Sequence, residues 1–262
     1  MEPASKDLRP GPAERQSELI EVIRPEGELP VRRLRELFAV SKETLRRDLR
    51  SLERRRAVSR TYGKVRPVES GAFETALPTR AESQVDEKER IAKTAVAHLG
   101  QARVLYIDEG FTAQLVAERL PRDRALTVVT PALPTAIVLA EYENVAVFAL
   151  GGRVRANTLG VVDPPASALL AHLTIDLAIM GANAISIDRG LSTPDPAVAA
   201  IKLAAIQASN RRVFVGAHTK FGFSSFVRFA DVTDFELLIT GVELPAARAA
   251  AFRSGGTRIL RV

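Results

Sequence analysis

The residues best suited to chemistry lie on one short segment, residues 41–54, and most of them are cations. Ser41 is a residue type that caps helix N-termini, and Leu45, Leu49 and Leu52 follow at spacings of four and three, which predicts one helix with an apolar stripe. The remaining surface of this helix carries Lys42, Thr44, Arg46, Arg47, Arg50 and Arg54. Guanidinium groups on one face are typical of a surface that binds phosphate.

A predicted hairpin follows this helix. Residues 58–65 are rich in β-forming side chains and are interrupted by Gly63, which predicts two short strands. The hairpin also carries the basic residues Arg60, Lys64 and Arg66. A recognition helix followed by a basic hairpin is the arrangement of a winged helix-turn-helix, in which the helix enters the major groove of DNA. A solvated, arginine-rich surface helix is the alternative.

Two further helices are predicted upstream. The apolar residues of segment 14–24 form one helical stripe, and Pro25 and Gly27 end that helix. Those of segment 29–40 form a second stripe, and a tight turn at its end leads into Ser41. Three short helices and a hairpin predict a DNA-binding domain over residues 14–67.

Composition and charge support this division. The 262 residues are 46% hydrophobic, which suits one large or two modest folded domains. Residues 1–66 contain 17 Lys+Arg against 11 Asp+Glu, whereas the remainder contains 20 of each. The whole formal charge of +6 therefore falls on the N-terminal segment, so this module alone is expected to bind a polyanion, double-stranded DNA.

Several classes of protein are disfavoured by features that the sequence lacks. It contains no cysteine, so disulfides, thiolate metal sites and a cysteine nucleophile are excluded. Neither an apolar signal segment nor a stretch long enough to span a bilayer is present, and we expect a soluble, cytoplasmic protein with no membrane partner.

The C-terminal two-thirds is predicted to be an α/β domain. Residues 1–13 are expected to form a flexible leader and residues 68–80, with Pro, Gly and Ser, a linker. Over residues 81–262 short apolar runs alternate with helical patterns. Strands that are apolar throughout are buried on both faces, which predicts a parallel-rich sheet. Ligands of such sheets bind in loops beyond the strand carboxyl ends.

Catalysis finds little support in the sequence. Asp108 and Glu109 are adjacent, so in an extended loop they would point apart and not act as an acid–base pair. His98, His172 and His218 have no spacing typical of metal ligands, and no glycine-rich nucleotide motif is present. We therefore expect no catalytic residue, no metal and no cofactor. A sugar-phosphate isomerase-like enzyme with a DNA-binding appendage is the alternative.

The N-terminal motifs resemble those of a known family. The run S-x-x-T-L-R-R-D-L at residues 41–49 and the R-T-Y-G wing at 60–63 are similar to the DNA-binding domain of DeoR-family bacterial transcriptional regulators. The resemblance implies a repressor that binds operator DNA as a dimer or tetramer. It implies base contacts from Lys42, Glu43 and Thr44, phosphate contacts from Arg46, Arg47, Arg50, Arg60 and Lys64, and further contacts from Arg32, Ser41 and Tyr62.

The resemblance covers residues 14–262. In the family, the C-terminal domain is similar in fold to ribose-5-phosphate isomerase and binds phosphorylated sugars as effectors. A small-molecule effector, such as a phosphorylated sugar, is therefore expected here. The resemblance implies an effector site formed by Asp108, Glu109, Gly110, Phe111, Thr112, Thr130, Gly151, Gly152 and Lys220.

Five positions in this unit depart from the family pattern. Pro196 falls where a glutamate is usual, and His218 replaces an aspartate. Glu109 stands where the family has a small residue, Phe111 replaces a serine and Pro131 replaces an asparagine. A carboxylate about 4 Å from a phosphate is repelled by about 4 kcal/mol per unit charge at an effective dielectric of about 20. If Glu109 does not point away, the pocket is expected to be retuned to another ligand or inactive toward simple sugar phosphates.

Overall fold

The computed structural model describes residues 11–26, 28–54, 57–67 and 77–262. The chain divides into two compact units, Met1–Glu69 and Ser70–Val262. Residues 1–10 of the predicted leader and 68–76 of the predicted linker lie outside the described residues. Residues 77–80, which the sequence assigned to the linker, belong instead to a short helix.

The N-terminal unit contains the predicted three helices and hairpin, together with one extra short strand. The elements are α1 (Pro12–Glu26), β1 (Leu29–Pro30), α2 (Val31–Phe38), α3 (Lys42–Arg54), β2 (Val58–Thr61) and β3 (Lys64–Pro67). Strand β3 pairs antiparallel with both β2 and β1, so the hairpin becomes a three-stranded sheet.

The predicted leucine stripe of α3 lies in the core of this unit. Its side chains are buried together with apolar residues of the other helices and of the hairpin: Leu19, Ile23, Leu34, Leu45, Leu49, Leu52, Val58 and Val65. Ala39 adopts a left-handed conformation with φ of 47°, which ends α2 and allows the chain to turn into α3. The basic face of α3 is thereby left outside the core.

A buried carboxylate fixes α3 against α1. Asp48 of α3 is 2% exposed and accepts hydrogen bonds from Arg15 Nε at 2.6 Å and from Gln16 Nε2 at 3.2 Å. Both donors belong to α1. Because charge-assisted hydrogen bonds to a buried carboxylate are strong, these contacts determine the orientation in which α3 presents its basic face.

The C-terminal unit is built on a seven-stranded parallel sheet with helices packed on it. The strands of this unit, five of which lie outside the large sheet, are β4 (Val104–Ile107), β5 (Leu126–Thr130), β6 (Val145–Ala149), β7 (Arg153–Val154), β8 (Val161–Val162), β9 (Ile175–Met180), β10 (Ala184–Ser186), β11 (Gly190–Thr193), β12 (Ser209–Val215), β13 (Val227–Ala230), β14 (Leu237–Thr240) and β15 (Ile259–Arg261). Its helices are α4 (Leu77–Ala81), α5 (Val85–Ala97), α6 (Phe111–Ala117), α7 (Leu133–Ala140), α8 (Pro164–Leu170), α9 (Pro196–Ala208) and α10 (Ala246–Ser254).

The order of the large sheet is β15-β14-β12-β9-β4-β5-β6, and every neighbouring pair is parallel. Successive side chains of a strand enter opposite cores: Tyr106 lies in one, and Leu105 and Ile107 lie in the other. The predicted α/β fold with a parallel-rich sheet is confirmed. No helix of the described residues is long and apolar enough to cross a membrane.

Replacing Asp48 with Asn is expected to destabilise the N-terminal unit selectively. The amide cannot match the charge-assisted hydrogen bond to Arg15, so we expect the free energy of unfolding to fall by about 2–3 kcal/mol. Denaturant titration of the full chain, with amide exchange resolving the two units, measures the loss. Glu43→Gln, at an exposed position of the same helix, is the control and should cost less than about 0.5 kcal/mol. Equal losses in the two variants would contradict the assigned role of Asp48.

Candidate functional site

The first turn of α3 carries the side chains predicted to contact bases. Ser41 Oγ accepts a hydrogen bond from the Thr44 backbone N–H at 3.1 Å, as expected of an N-cap. The Ser41 and Thr44 hydroxyls are 2.8 Å apart and share a second hydrogen bond. Lys42 and Glu43 are exposed. The cap therefore fixes the backbone of this turn while the neighbouring side chains remain accessible.

A basic surface continues along α3. Arg46, Arg47 and Arg50 are exposed, and no hydrogen bond or salt bridge within the described part of the chain engages them. A groove of about 360 Å³ between α2 and α3 is lined in part by five basic side chains, Arg32, Arg35, Lys42, Arg46 and Arg60. Arg35 is not in the predicted set. A surface rich in exposed cations attracts a polyanion, so this surface is suited to nucleic acid.

The turn of the wing projects one aromatic side chain. Tyr62 is fully exposed and has φ of 49°, and Gly63 has φ of 77°. Two successive positive φ angles are the requirement of a type I′ hairpin turn. The turn thus places the predicted DNA contact Tyr62 at the tip of the hairpin.

The cations of the wing, by contrast, are paired with carboxylates. Arg60 contacts Glu53 of α3 at 2.5 Å, while Lys64 and Arg66 both contact Glu28. Hydrogen bonds from Lys64 and then Arg66 hold the pKa of Glu28 below its ordinary value, and Arg60 does the same for the pKa of Glu53. Arg60 and Lys64, both predicted to bind phosphate, therefore have acidic partners within their own unit.

In the C-terminal unit, the loop after β4 contains a buried ion pair. Asp108 is 1% exposed, and its Oδ2 accepts hydrogen bonds from the Gly181 N–H at 3.0 Å and from the Lys202 ammonium. Lys202, on α9, also donates to the Gly181 carbonyl at 3.1 Å. The Tyr106 hydroxyl lies 3.4 Å from Asp108 Oδ1, and burial raises the pKa of Tyr106 well above its ordinary value, so this hydroxyl remains a donor.

Glu109 is buried next to this pair and has partners of its own. Its Oε2 accepts a hydrogen bond from the Thr158 hydroxyl at 2.8 Å, and its Oε1 lies 3.2 Å from Nη1 of Arg155. Nε of Arg155 lies 3.1 Å from a carboxylate oxygen of Asp195. A side chain at Gly160 would overlap the Glu109 carboxylate. The repulsion calculated for an unpaired Glu109 therefore does not describe this conformation.

The space at this site is small. A cavity of about 10 Å³ is lined by Asp108, Glu109, Pro131, Val161, Val162, Val198, Ile201 and Lys202. That volume holds about one water molecule, whereas small-molecule pockets measure about 300–1,000 Å³. An effector that binds here must displace protein groups. The Glu109 carboxylate and the segment 155–160 that holds it are the nearest candidates.

Other residues of the predicted effector site lie on neighbouring loops. Gly110 immediately precedes α6, and Phe111 and Thr112 are its first two residues. Thr130 is buried, and its hydroxyl accepts a hydrogen bond from the Ala132 N–H at 3.1 Å. Of the predicted set, Asp108 and Glu109 line the cavity itself.

The remaining residues of the predicted effector site, Gly151, Gly152 and Lys220, lie in two other loops. Gly151 and Gly152 are exposed between β6 and β7, and a side chain at Gly152 would overlap the Val162 carbonyl. Gly152 therefore permits the close pairing of β7 with β8. Lys220 ends a short 3₁₀ helix of one turn, His218–Lys220, which follows β12. Burial lowers the pKa of Lys220 to about 8.

Two cations that complete the site, Lys202 and Arg155, are absent from the set predicted from the sequence. Arg155 lies in an irregular segment that shows no periodicity. Lys202 is the lone charge of the apolar helix Pro196–Ala208, and a single charge in such a helix is a signal of a buried pair. That signal was available, although it does not identify Asp108 as the partner.

Two family models match this chain. The model described as a DeoR-like helix-turn-helix domain matches residues 15–70, and the model described as the DeoR C terminal sensor domain matches residues 83–242. The first range contains every residue expected to contact DNA. The second contains every residue expected to contact an effector, together with Lys202 and Arg155.

Curated relatives align over most of the chain. The HTH-type transcriptional regulator GlpR of Haloferax volcanii is 32% identical over 249 residues, which cover 95% of this chain and 97% of the relative. The glycerol-3-phosphate regulon repressor of Escherichia coli is 28% identical over 89% of this chain and 92% of its own length. Among solved structures, ribose 5-phosphate isomerase A of Methanocaldococcus jannaschii matches 53% of this chain and 55% of its own, with 17% identity and a TM-score of 0.39. A similarity that weak supports no functional conclusion.

Replacing Lys202 with Met is expected to destabilise the C-terminal unit strongly. The change leaves Asp108 buried without its cation, which costs about 3–5 kcal/mol in the free energy of unfolding. The double replacement Asp108→Asn with Lys202→Met removes both charges and should recover much of that loss. Denaturant unfolding measures all variants against Lys93→Met, an exposed lysine on α5, as the control. A single Lys202 variant as stable as the control would show that the pair contributes little.

Proposed function

The chain belongs to the DeoR family of transcriptional regulators, and from this premise we propose that it is a repressor that releases operator DNA when a small metabolite binds its C-terminal unit. The observation that carries the proposal is the exposed basic face of α3, on which three arginines make no hydrogen bond or salt bridge within the described part of the chain: Arg46, Arg47 and Arg50. The relatives named as regulators or repressors support the same function.

In the proposed complex, α3 enters the major groove with its first turn. Lys42, Glu43 and Thr44 contact base edges, and the three exposed arginines contact phosphates. Ser41 holds the turn, and Arg32 and Tyr62 contact the backbone from α2 and from the wing. Arg60 and Lys64 contribute less than the arginines of α3, because Glu53 and Glu28 already neutralise them.

We propose that the chain acts as a homo-oligomer, a dimer or a tetramer. One winged helix contacts a single short half-site, and two copies related by symmetry supply the affinity and the spacing that an operator requires. Because the partner is chromosomal DNA, we propose that the protein acts in the cytoplasm.

We propose that the effector is a phosphorylated metabolite that competes with Glu109 for Arg155. The Glu109 carboxylate already behaves as a bound anion, because it is buried, accepts the Thr158 hydroxyl and lies against the guanidinium. A phosphate can accept two parallel hydrogen bonds from the same guanidinium. Asp195 would hold Arg155 in place during the exchange. The exchange opens the cavity and moves segment 155–160, which couples binding to a change of conformation.

The isomerase alternative has less support. Asp108 and Lys202 are bonded to each other beside a cavity that holds about one water molecule, so neither presents a free group to a substrate-sized space. The two curated relatives cited above are named as a transcriptional regulator and a repressor.

Arg46→Ala and Arg47→Ala are expected to weaken binding to an operator and to random duplex DNA alike. Each variant should reduce the slope of log affinity against log salt by about one unit, because one fewer counterion is released. Fluorescence anisotropy of the full chain over a range of salt concentrations measures the slope, with an operator isolated by selection from random duplexes. Lys93→Ala, an exposed cation of the other unit, is the matched control and should leave the slope unchanged.

A substitution in the wing should change the salt dependence of DNA binding in the opposite direction. Glu28→Gln removes the acidic partner of Lys64 and Arg66, so the slope should become steeper by up to about two units. Thr44→Ala should instead reduce the ratio of operator to random affinity. Arginine variants that bind random duplex as tightly as the native chain would contradict the proposed interface.

Glu109→Ala is expected to raise the affinity for phosphorylated metabolites by about tenfold or more, which corresponds to about 1.4 kcal/mol. The substitution removes the internal competitor, and Asp195 still positions Arg155. Titration calorimetry with a panel of sugar phosphates and glycerol phosphate measures the effect. Release of operator DNA by the same compounds links binding to function.

Two control variants show whether the gain in affinity depends on Arg155 or follows the loss of any carboxylate. Arg155→Met in the Glu109→Ala background should abolish the gained affinity, whereas Glu143→Ala, an exposed carboxylate, should change nothing. Tight binding that survives the loss of Arg155 would place the effector elsewhere in the C-terminal unit. Such a result would leave the DNA-binding proposal intact.

A further inference from the structure

We propose that Glu87, His218 and Glu243 form a binding site for one divalent transition-metal ion. Each side chain offers one ligand atom, and the three atoms lie within 4.8 Å of one another. They come from the first turn of α5, the turn after β12 and the loop after β14. The sequence predicted no metal site, because the three histidines lack ligand spacing. The fold, however, assembles one histidine with two distant carboxylates.

The Glu87 carboxylate is oriented as a metal ligand would be. It is 3% exposed, and its Oε1 accepts backbone N–H groups from His218 at 2.7 Å and from Gly241 at 3.1 Å. Its other oxygen, Oε2, lies 2.8 Å from Nδ1 of His218. Metal ligands are commonly held by such hydrogen bonds to atoms that do not bind the ion. One oxygen is therefore anchored, and the other faces the imidazole.

The second carboxylate converges on the same point. A side chain at Gly241 would overlap carboxylate oxygens of both Glu87 and Glu243, so the glycine is what allows the two acids to approach. Arg90 Nη2 binds Oε1 of Glu243 at 2.6 Å, and Oε2 is the oxygen that lies beside Gly241. Two carboxylates and a neutral imidazole together carry a charge of −2, of which the Arg90 guanidinium offsets a part, and a divalent cation would neutralise the rest.

The chemistry and access of the site favour Zn²⁺ or a similar ion. An imidazole with carboxylates is a typical zinc donor set, with ligand atoms about 2.0–2.2 Å from the metal. Atoms around one tetrahedral ion are therefore about 3.4 Å apart. The 2.8 Å contact between Glu87 Oε2 and His218 Nδ1 must lengthen, and Glu243 must move slightly inward. Its side chain is 40% exposed, which permits that movement and gives an ion a path from solvent. A bound ion would join α5 to the turn that carries Lys220.

Zinc titration of the metal-free full chain tests the proposal. With a chromophoric chelator as competitor, we expect one Zn²⁺ per chain, and we expect His218→Asn and Glu243→Gln each to reduce affinity at least tenfold. The matched controls are His172→Asn and Glu143→Gln, at exposed positions elsewhere, and both should bind as the native chain does. Circular dichroism of each variant shows that it is folded.

Two results would overturn the proposal. One is the absence of stoichiometric Zn²⁺ binding by the native chain, which would leave the His218–Glu87 contact as a purely structural ion pair. The other is Zn²⁺ binding of equal affinity in the His218 and Glu243 variants. Mg²⁺ provides a further check, because it prefers oxygen ligands and should not displace Zn²⁺ from a site with an imidazole donor.

Discussion

The burial of charge at the carboxyl edge of the parallel sheet is the constraint on which the C-terminal unit depends. A carboxylate isolated in such a place would cost several kcal/mol. Asp108 is met by Lys202 from α9, and Glu109 is met by Arg155 from the segment between β7 and β8. The topology brings these loops to one edge, and the ion pairs then determine which loop contacts which strand end.

If the effector binds as proposed, the same constraint explains how a closed site can respond to it. A phosphate that replaces Glu109 beside Arg155 exchanges one charge-assisted contact for another, so the number of such contacts is nearly conserved. The closed and open states can therefore differ by far less free energy than either contact is worth. A small difference suits a regulator, because a ligand shifts an equilibrium only by its differential affinity for the two states. In the proposed exchange Glu109 acts as an internal competitor of the effector.

The sequence predicted the elements better than it predicted their electrostatic partners. The leucine spacing and Ser41 were sufficient for α3 and its cap, because both are local patterns. The pairings of Asp48 with Arg15, of Arg155 with Glu109 and of Lys202 with Asp108 escaped prediction, because the partners are at least 33 positions apart. Glu109 looks unpaired in the sequence for the same reason, because Arg155 lies 46 positions away. The sequence shows where a charged residue stands, but the fold determines whether another residue neutralises it.

In the proposed complex the cations of the wing and those of α3 contribute differently to DNA recognition. Acidic partners on Arg60, Lys64 and Arg66 weaken the contribution of the wing to phosphate binding, which is the term that acts on every DNA sequence alike. Discrimination then depends more heavily on the first turn of α3. There the Thr44 hydroxyl already shares a hydrogen bond with Ser41, yet a hydroxyl has one donor and two acceptor positions. In the proposed complex Thr44 can therefore contact a base without breaking the cap that it forms with Ser41.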